Sequence, residues 1–320
     1  MHSQTNQADH GLRRKLLGTA SALALIGLCQ FPGAARAGDG GDSDFKLTLD
    51  IAGQFAMNSG GRTVYGDPFE PPPDIGVKNG GEGLVALNLE HDDWIYGLSF
   101  NFGRTGTSHA GFSYYTGNLY THYSGSGQVR HNESHKVLDF TIGRDVGLGM
   151  LGMEGSSVVS VGIEWANFSA TTIGDFAYAS KYDGGYYNTN FTRVLRRRFN
   201  GIGPVISWNA STPLGDPGSH LSLNWGAMAS VLFGPRKFSG NDGAFVLTPR
   251  SKSATVPRAS GYVGVGWHPD DSPFAISAGY AVSATWGVFD GNFDDDGDEI
   301  RNSVNRFSHG PYVDLTIQVH

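Results

Sequence analysis

The residue types that could do chemistry gather in three places along the 320-residue chain. The first is His131-Asn132-Glu133-Ser134-His135. A zinc-binding H-E-x-x-H stretch needs a helix to bring both histidines to one metal, with the glutamate directly after the first. Here the glutamate stands midway, and an extended backbone would hold the histidines roughly 13 Å apart. A solvated loop therefore accounts for this stretch better than a metal. The second place is Asp290 to Glu299, DGNFDDDGDE. With Asn292, Asp294 and Asp296 at positions 1, 3 and 5 of a calcium loop, Gly297 takes the turn position. The twelfth position, however, is Ser303 in place of a bidentate glutamate. Calcium at Asn292, Asp294, Asp296 and Asp298 is thus weaker than the reading of an acidic external loop, and no other cofactor is indicated. The third place is the cluster Arg193, Arg196, Arg197 and Arg198. The guanidinium fork suits bidentate phosphate recognition, so these four are candidates for phosphate contact, against a plain solvated rim. No nucleophile elbow occurs, and His109 and His122 have no carboxylate partner identifiable in sequence.

The elements that must position these groups are strands. From Phe274 to Trp286 one parity reads Phe, Ile, Ala, Tyr, Val, Ala, Trp, while the other is Ala, Ser, Gly, Ala, Ser, Thr. Side chains alternate faces along a strand, so this stretch has one apolar face and one small, wettable face. Its length exceeds the usual five or six residues and suits a tilted bilayer crossing of about 9–11. The same alternation recurs at Phe45–Phe55, Leu84–Glu90, Trp94–Arg104, Val137–Asp145, Val158–Phe168, Phe199–Ala210, Leu221–Phe233, Tyr262–Trp267 and Phe307–Val319. About ten strands result, with long loops after odd strands and short turns after even ones, the asymmetry of an outer-membrane barrel. Closure also removes the open edges such strands would otherwise present. The expected fold is all-β: a closed antiparallel transmembrane β-barrel of about ten strands.

Composition agrees. With 39% hydrophobic residues and negative mean hydropathy, the chain is too polar for a bundle of spanning helices. Residues 1–37 read as a cleaved signal peptide: Arg13-Arg14-Lys15, an apolar run to Leu28, then Ala35-Arg36-Ala37. Cleavage leaves a barrel domain over 38–320. It removes four basic residues and one acid, so the formal charge moves from −7 to −10, which opposes nucleic-acid binding. The single cysteine, Cys29, leaves with the signal, so no disulfide holds the mature chain.

From about Phe199 the chain resembles the Legionella-type major outer membrane protein family. The residues carrying the resemblance are Phe199-Asn200-Gly201-Ile202-Gly203-Pro204, Leu232-Phe233-Gly234 and His309-Gly310-Pro311-Tyr312. The resemblance implies a pore-forming outer-membrane barrel. One departure stands out: the chain ends Val319-His320, without the terminal aromatic that the barrel-assembly machinery reads in such proteins.

The lumen-facing parity is rich in small residues and carries Asp50, Glu90, Asp139, Glu164 and Asp314 against Lys46. Ten strands lined this way are expected to leave a narrow wet passage, and acidic rings favour cations. Ser99→Arg, pointing into that passage, is expected to fold. Weakly cation-selective diffusion is therefore the leading functional reading, with no enzyme activity expected. A non-conducting scaffold that binds through its loops is the alternative, and a rim-active hydrolase the third. Outer-leaflet lipopolysaccharide is the expected partner of the arginine cluster.

Overall fold

The computed structural model describes residues 45–60, 75–117, 122–147, 155–182, 185–215, 219–242, 245–269, 272–290 and 303–319. Its elements are β1 (Phe45–Gly60), β2 (Gly80–His91), β3 (Trp94–Thr105), β4 (Ser108–Gly117), β5 (His122–Asp145), β6 (Ser156–Tyr182), β7 (Gly185–Leu214), β8 (Leu221–Asp242), β9 (Phe245–Trp267), β10 (Phe274–Phe289) and β11 (Val304–Val319). No helix occurs among the described residues.

Consecutive strands pair antiparallel except β3 and β4, β1 pairs with β11, and β3 pairs with β5 over 94–104 and 134–144. That last pairing closes a ring of ten strands: β1, β2, β3 and β5 to β11. The eleventh, β4, stands outside the ring on the far end of β5, opposite 122–131. Short turns close one end, as at Asp92, whose φ of 52° is a left-handed conformation that aspartate tolerates.

Parity decides which side chains face out. Leu98, Phe140, Ile163, Ile206, Val263 and Ile276 are exposed on the outer wall, while their sequence neighbours point inward and are mostly buried. Trp94, Trp208 and Trp267 lie near the short-turn end of this band and Trp286 near the other, an aromatic girdle at each interface. The molecule is thus an all-β outer-membrane-type barrel, as its alternation predicts.

The long external connections differ from expectation. Ser169 to Arg197, read as a loop, is an antiparallel hairpin of β6 and β7 paired continuously up to Tyr182 and Gly185. Gly234 to Pro257 is likewise the β8–β9 hairpin, and β4 with the start of β5 occupies much of Thr105 to Ser134. Backbone pairing continues past the membrane because the hydrogen-bond ladder does not need an apolar face. Only the apolar contrast stops at the interface.

Candidate functional site

The lumen is where the predicted site residues converge, and it is filled with side chains. Glu164 on β6 and Arg258 on β9 reach across it. Arg258 Nη1 donates to Glu164 Oε2 at 2.7 Å, and Ser230 Oγ donates to Oε1 at 2.9 Å. Asp139 lies beside Glu164 in the β5–β6 register and accepts from Ser99 Oγ at 2.9 Å. Water reaches 0% of Glu164, 4% of Asp139 and 8% of Arg258, so these three groups are packed away from solvent. Arg258 supplies the cation that lets two buried acids share one level; an unpaired buried charge would be far costlier.

Nearer the short-turn end, Asp50 accepts from Thr316 Oγ1 at 2.6 Å and from Asn88 Nδ2 at 2.8 Å. Asp314 accepts weakly from Ser277 Oγ at 3.5 Å. Between the two acidic layers, Tyr262 and Tyr312 meet edge to face, 6.1 Å between ring centroids. Lys46 and Glu90 sit at the mouth itself, exposed and 4.0 Å apart, and line no constriction. Ser99 faces inward as parity requires, but it is packed against Asp139, so the expectation that Ser99→Arg folds is corrected: no space is open for it.

A second crossbar lies at the external mouth. Glu133 on β5 lies one level beyond Ser134–Arg104, above the outermost lipid-facing aromatic of β3, Phe102. It is bound by Arg306 from the opposite wall, through Nε to Oε2 at 2.5 Å and a second contact of Nη2 with Oε1. His131 Nε2 meets Oε1 from the same strand at 2.8 Å. Burial pushes the Glu133 carboxyl up, but His131 and Arg306 outweigh it and hold the group down at about 2. Between the crossbars lies a chamber of about 60 Å³, lined by Glu82, His135, Phe168, Ser283, Phe289 and Ser308 among others. Beside it, Phe199, Leu232, Val256 and Phe289 form an apolar layer inside the barrel.

The His131–Glu133–His135 stretch is therefore neither a loop nor a metal centre. All three residues are on the lumen parity of β5, and His131 divides its ring nitrogens between Glu133 and Thr172 Oγ1, 2.9 Å away. No His/Cys/Asp/Glu cluster among the described residues could hold a metal ion. Asn292, Asp294, Asp296 and Asp298 lie outside the described residues. The arginine cluster is split by strand parity. Arg196 and Arg198 project outward and are exposed, Arg198 opposite Lys237 in the register, whereas Arg193 and Arg197 turn inward. Burial pushes Arg197 down to about 10, which leaves it charged at neutral pH. Sequence reasoning missed Arg258 and Arg306. Each continues the lumen parity of its strand, Arg258 two residues before Ser260 and Arg306 two before Ser308, but both fall just outside the alternating stretches Tyr262–Trp267 and Phe307–Val319.

Comparison with solved structures finds other outer-membrane proteins. The outer membrane protease OmpT from Escherichia coli aligns with a TM-score of 0.51 at 12% identity, covering 86% of this chain and 97% of that one. The translocator domain of the autotransporter NalP from Neisseria meningitidis reaches 0.29 at 11% identity, covering 86% and 89%. A mutant of the monoaromatic hydrocarbon channel TodX reaches 0.23 at 9% identity, covering 86% and 90%. The likeness to OmpT shows the fold alone. No family model matches the chain, and no curated protein matches it.

Proposed function

We propose that this chain is an outer-membrane barrel with a closed lumen, working as a surface-binding scaffold through its external sheet. The observation that carries the proposal is the Glu164–Arg258–Asp139 layer, which spans the lumen and is almost unreached by water. Below it the acids Asp50 and Asp314 are packed as tightly, so charge alone gives no conducting ring. On this reading residues 1–37 are removed on export, 38–320 are assembled into the outer membrane by the barrel-assembly machinery, and Arg196 and Arg198, with Lys237, meet lipopolysaccharide phosphates at the outer rim.

A weakly cation-selective pore, the activity implied by the resemblance to the Legionella-type family, is the second reading. Its support is the small lining of Ser99, Ser160, Ser207 and Ser260, which would leave a passage if Arg258 swung aside. Hydrolysis is not proposed, because His131 is committed to Thr172 and Glu133 and all three are buried. Planar bilayer recording of the purified barrel tests the choice. No steady current is expected. Sustained small cation-selective steps that fall when Asp139→Asn and Glu164→Gln are combined would establish the pore instead.

A further inference from the structure

The lipid-facing wall turns from apolar to polar at one line, and cations gather on that line. Toward the external end, along the outward parity, Phe102 is followed by Arg104, Leu138 by Lys136 and Trp165 by Asn167. On β7, Ile202 is followed by Asn200, Arg198 and Arg196, and on β8 Phe233 is followed by Pro235 and Lys237. Directly paired residues of neighbouring strands share a face. Arg104, Ser134, Ser169, Arg198 and Lys237 therefore form one row across β3, β5, β6, β7 and β8. Lys136, Asn167 and Asn200 form the next row toward the bilayer. All five cations are exposed, and none of them meets an acid among the described residues. Asp175, an acid further out on the same wall, is already held by Arg130 Nη2 at 2.9 Å and Thr192 Oγ1 at 2.8 Å. On β9, β10, β11 and β1 the corresponding boundary carries Thr255, Trp286, Phe307 and Met57, none of them charged.

We propose that this wall holds one bisphosphorylated glycolipid of the outer leaflet across β3 to β8, with a phosphate at each of two cationic poles. The proposal rests on the lipopolysaccharide contact read above for Arg196, Arg198 and Lys237. It adds a second pole, Arg104 with Lys136, and a polar bridge between the two. Like charges at the edge of the hydrocarbon repel one another, and the protein supplies them no counter-charge. Phosphates at headgroup level do, and the guanidinium fork grips them at two oxygens. Spacing then selects the lipid. With strands about 4.8 Å apart and a rise of about 3.4 Å per residue, the Lys136 and Arg198 backbones lie about 12 Å apart. A disaccharide phosphorylated at both ends spans that gap, whereas a glycerophospholipid carries one phosphodiester and reaches one pole. Between the poles, the amides of Asn167 and Asn200 and the hydroxyl of Ser169 face the sugar hydroxyls. The acyl chains lie against Leu138, Trp165 and Ile202 directly below. Because β9 to β1 lack such cations, the wall holds one such lipid and not a ring of them.

The test titrates the full refolded barrel in detergent with bisphosphoryl lipid A, monophosphoryl lipid A and phosphatidylglycerol, reading bound lipid by native mass spectrometry. One bisphosphoryl lipid A is expected per barrel, held about tenfold or more tighter than either of the other lipids. Arg104→Ala combined with Lys136→Ala should abolish that preference, leaving the bisphosphoryl form no tighter than the monophosphoryl one. Lys181→Ala, a cation outside the two rows, should leave the preference unchanged. Retention of heat-modifiable migration shows that each variant has folded. Equal affinity for all three lipids, binding of several lipid A molecules with no tight first one, or a preference that survives the Arg104 and Lys136 changes would each overturn the proposal. In that last case, weaker binding on replacing Arg196 and Arg198 leaves the rim contact standing, and indifference to both pairs removes that contact as well. None of these results bears on conductance, so the closed-lumen reading stands or falls separately.

Discussion

The same strands behave as two different materials above and below the outer interface. Within the membrane, β5 to β9 show an apolar outer wall around a polar, cross-linked interior. Beyond it, the outer face is polar and the inner face turns aromatic. Between β6 and β7 the backbone ladder runs through both without interruption, from Ser156 and Ser211 to Tyr182 and Gly185, whereas the β8–β9 register shifts between Phe238 and Gly240. On the other side of the ring, β1 to β3 and β10 to β11 run to at most 16 residues and stop near the rim. Solvent, more than backbone pairing, decides which face is apolar. In lipid the outer face must be, whereas in water the apolar groups are withdrawn to the inner face.

The difference can be broken most forcefully at the lumen crossbar. Arg258→Ala leaves Glu164 and Asp139 buried without their cation, and should cost about 3–5 kcal/mol in a reversible vesicle-unfolding assay. A loss below about 1 kcal/mol would mean the layer is hydrated after all. Next comes the outer wall. Leu98→Arg meets lipid and should cost about 2–4 kcal/mol. Ser113→Arg, exposed on β4 beyond the membrane, should stay within about 0.5 kcal/mol of the parent. Equal effects at both sites would erase the boundary between the regions.

How far the sequence discloses this division follows from the same physics. The ring of ten strands was legible wherever one face is lipid-exposed, because alternation there contrasts Leu, Phe and Ile with Gly, Ser and Ala. Above the rim that contrast fades into Gly, Ser, Tyr and Asn, so β4 and the outer halves of β5 to β9 read as loops. The lumen acids were legible by parity, but their neutraliser was not, since Arg258 falls at the edge of a stretch taken for loop. Parity would also have split Arg193 and Arg197 from Arg196 and Arg198. His131 and Glu133 drew attention as a failed metal motif, yet they are the anchor for Arg306, a partner 173 positions away along the chain.

The smallest expected effect lies at the boundary itself. Arg196→Ala and Arg198→Ala should each weaken lipopolysaccharide retention by about 1 kcal/mol, with greater loss at low salt than at high. Co-purified lipid A phosphate measures it, and unchanged retention in the double variant would assign these side chains to solvent alone.

The closed lumen is tested most directly by thiol accessibility, since the predicted mature chain has no cysteine. Ser260, in the lumen, is 1% exposed, whereas Ser126 on the external sheet is exposed. With one cysteine placed at each position in turn, a charged, membrane-impermeant thiol reagent should label Ser126→Cys rapidly and leave Ser260→Cys unmodified in the folded barrel. Comparable labelling of both would contradict a closed lumen and show that water and ions reach its centre.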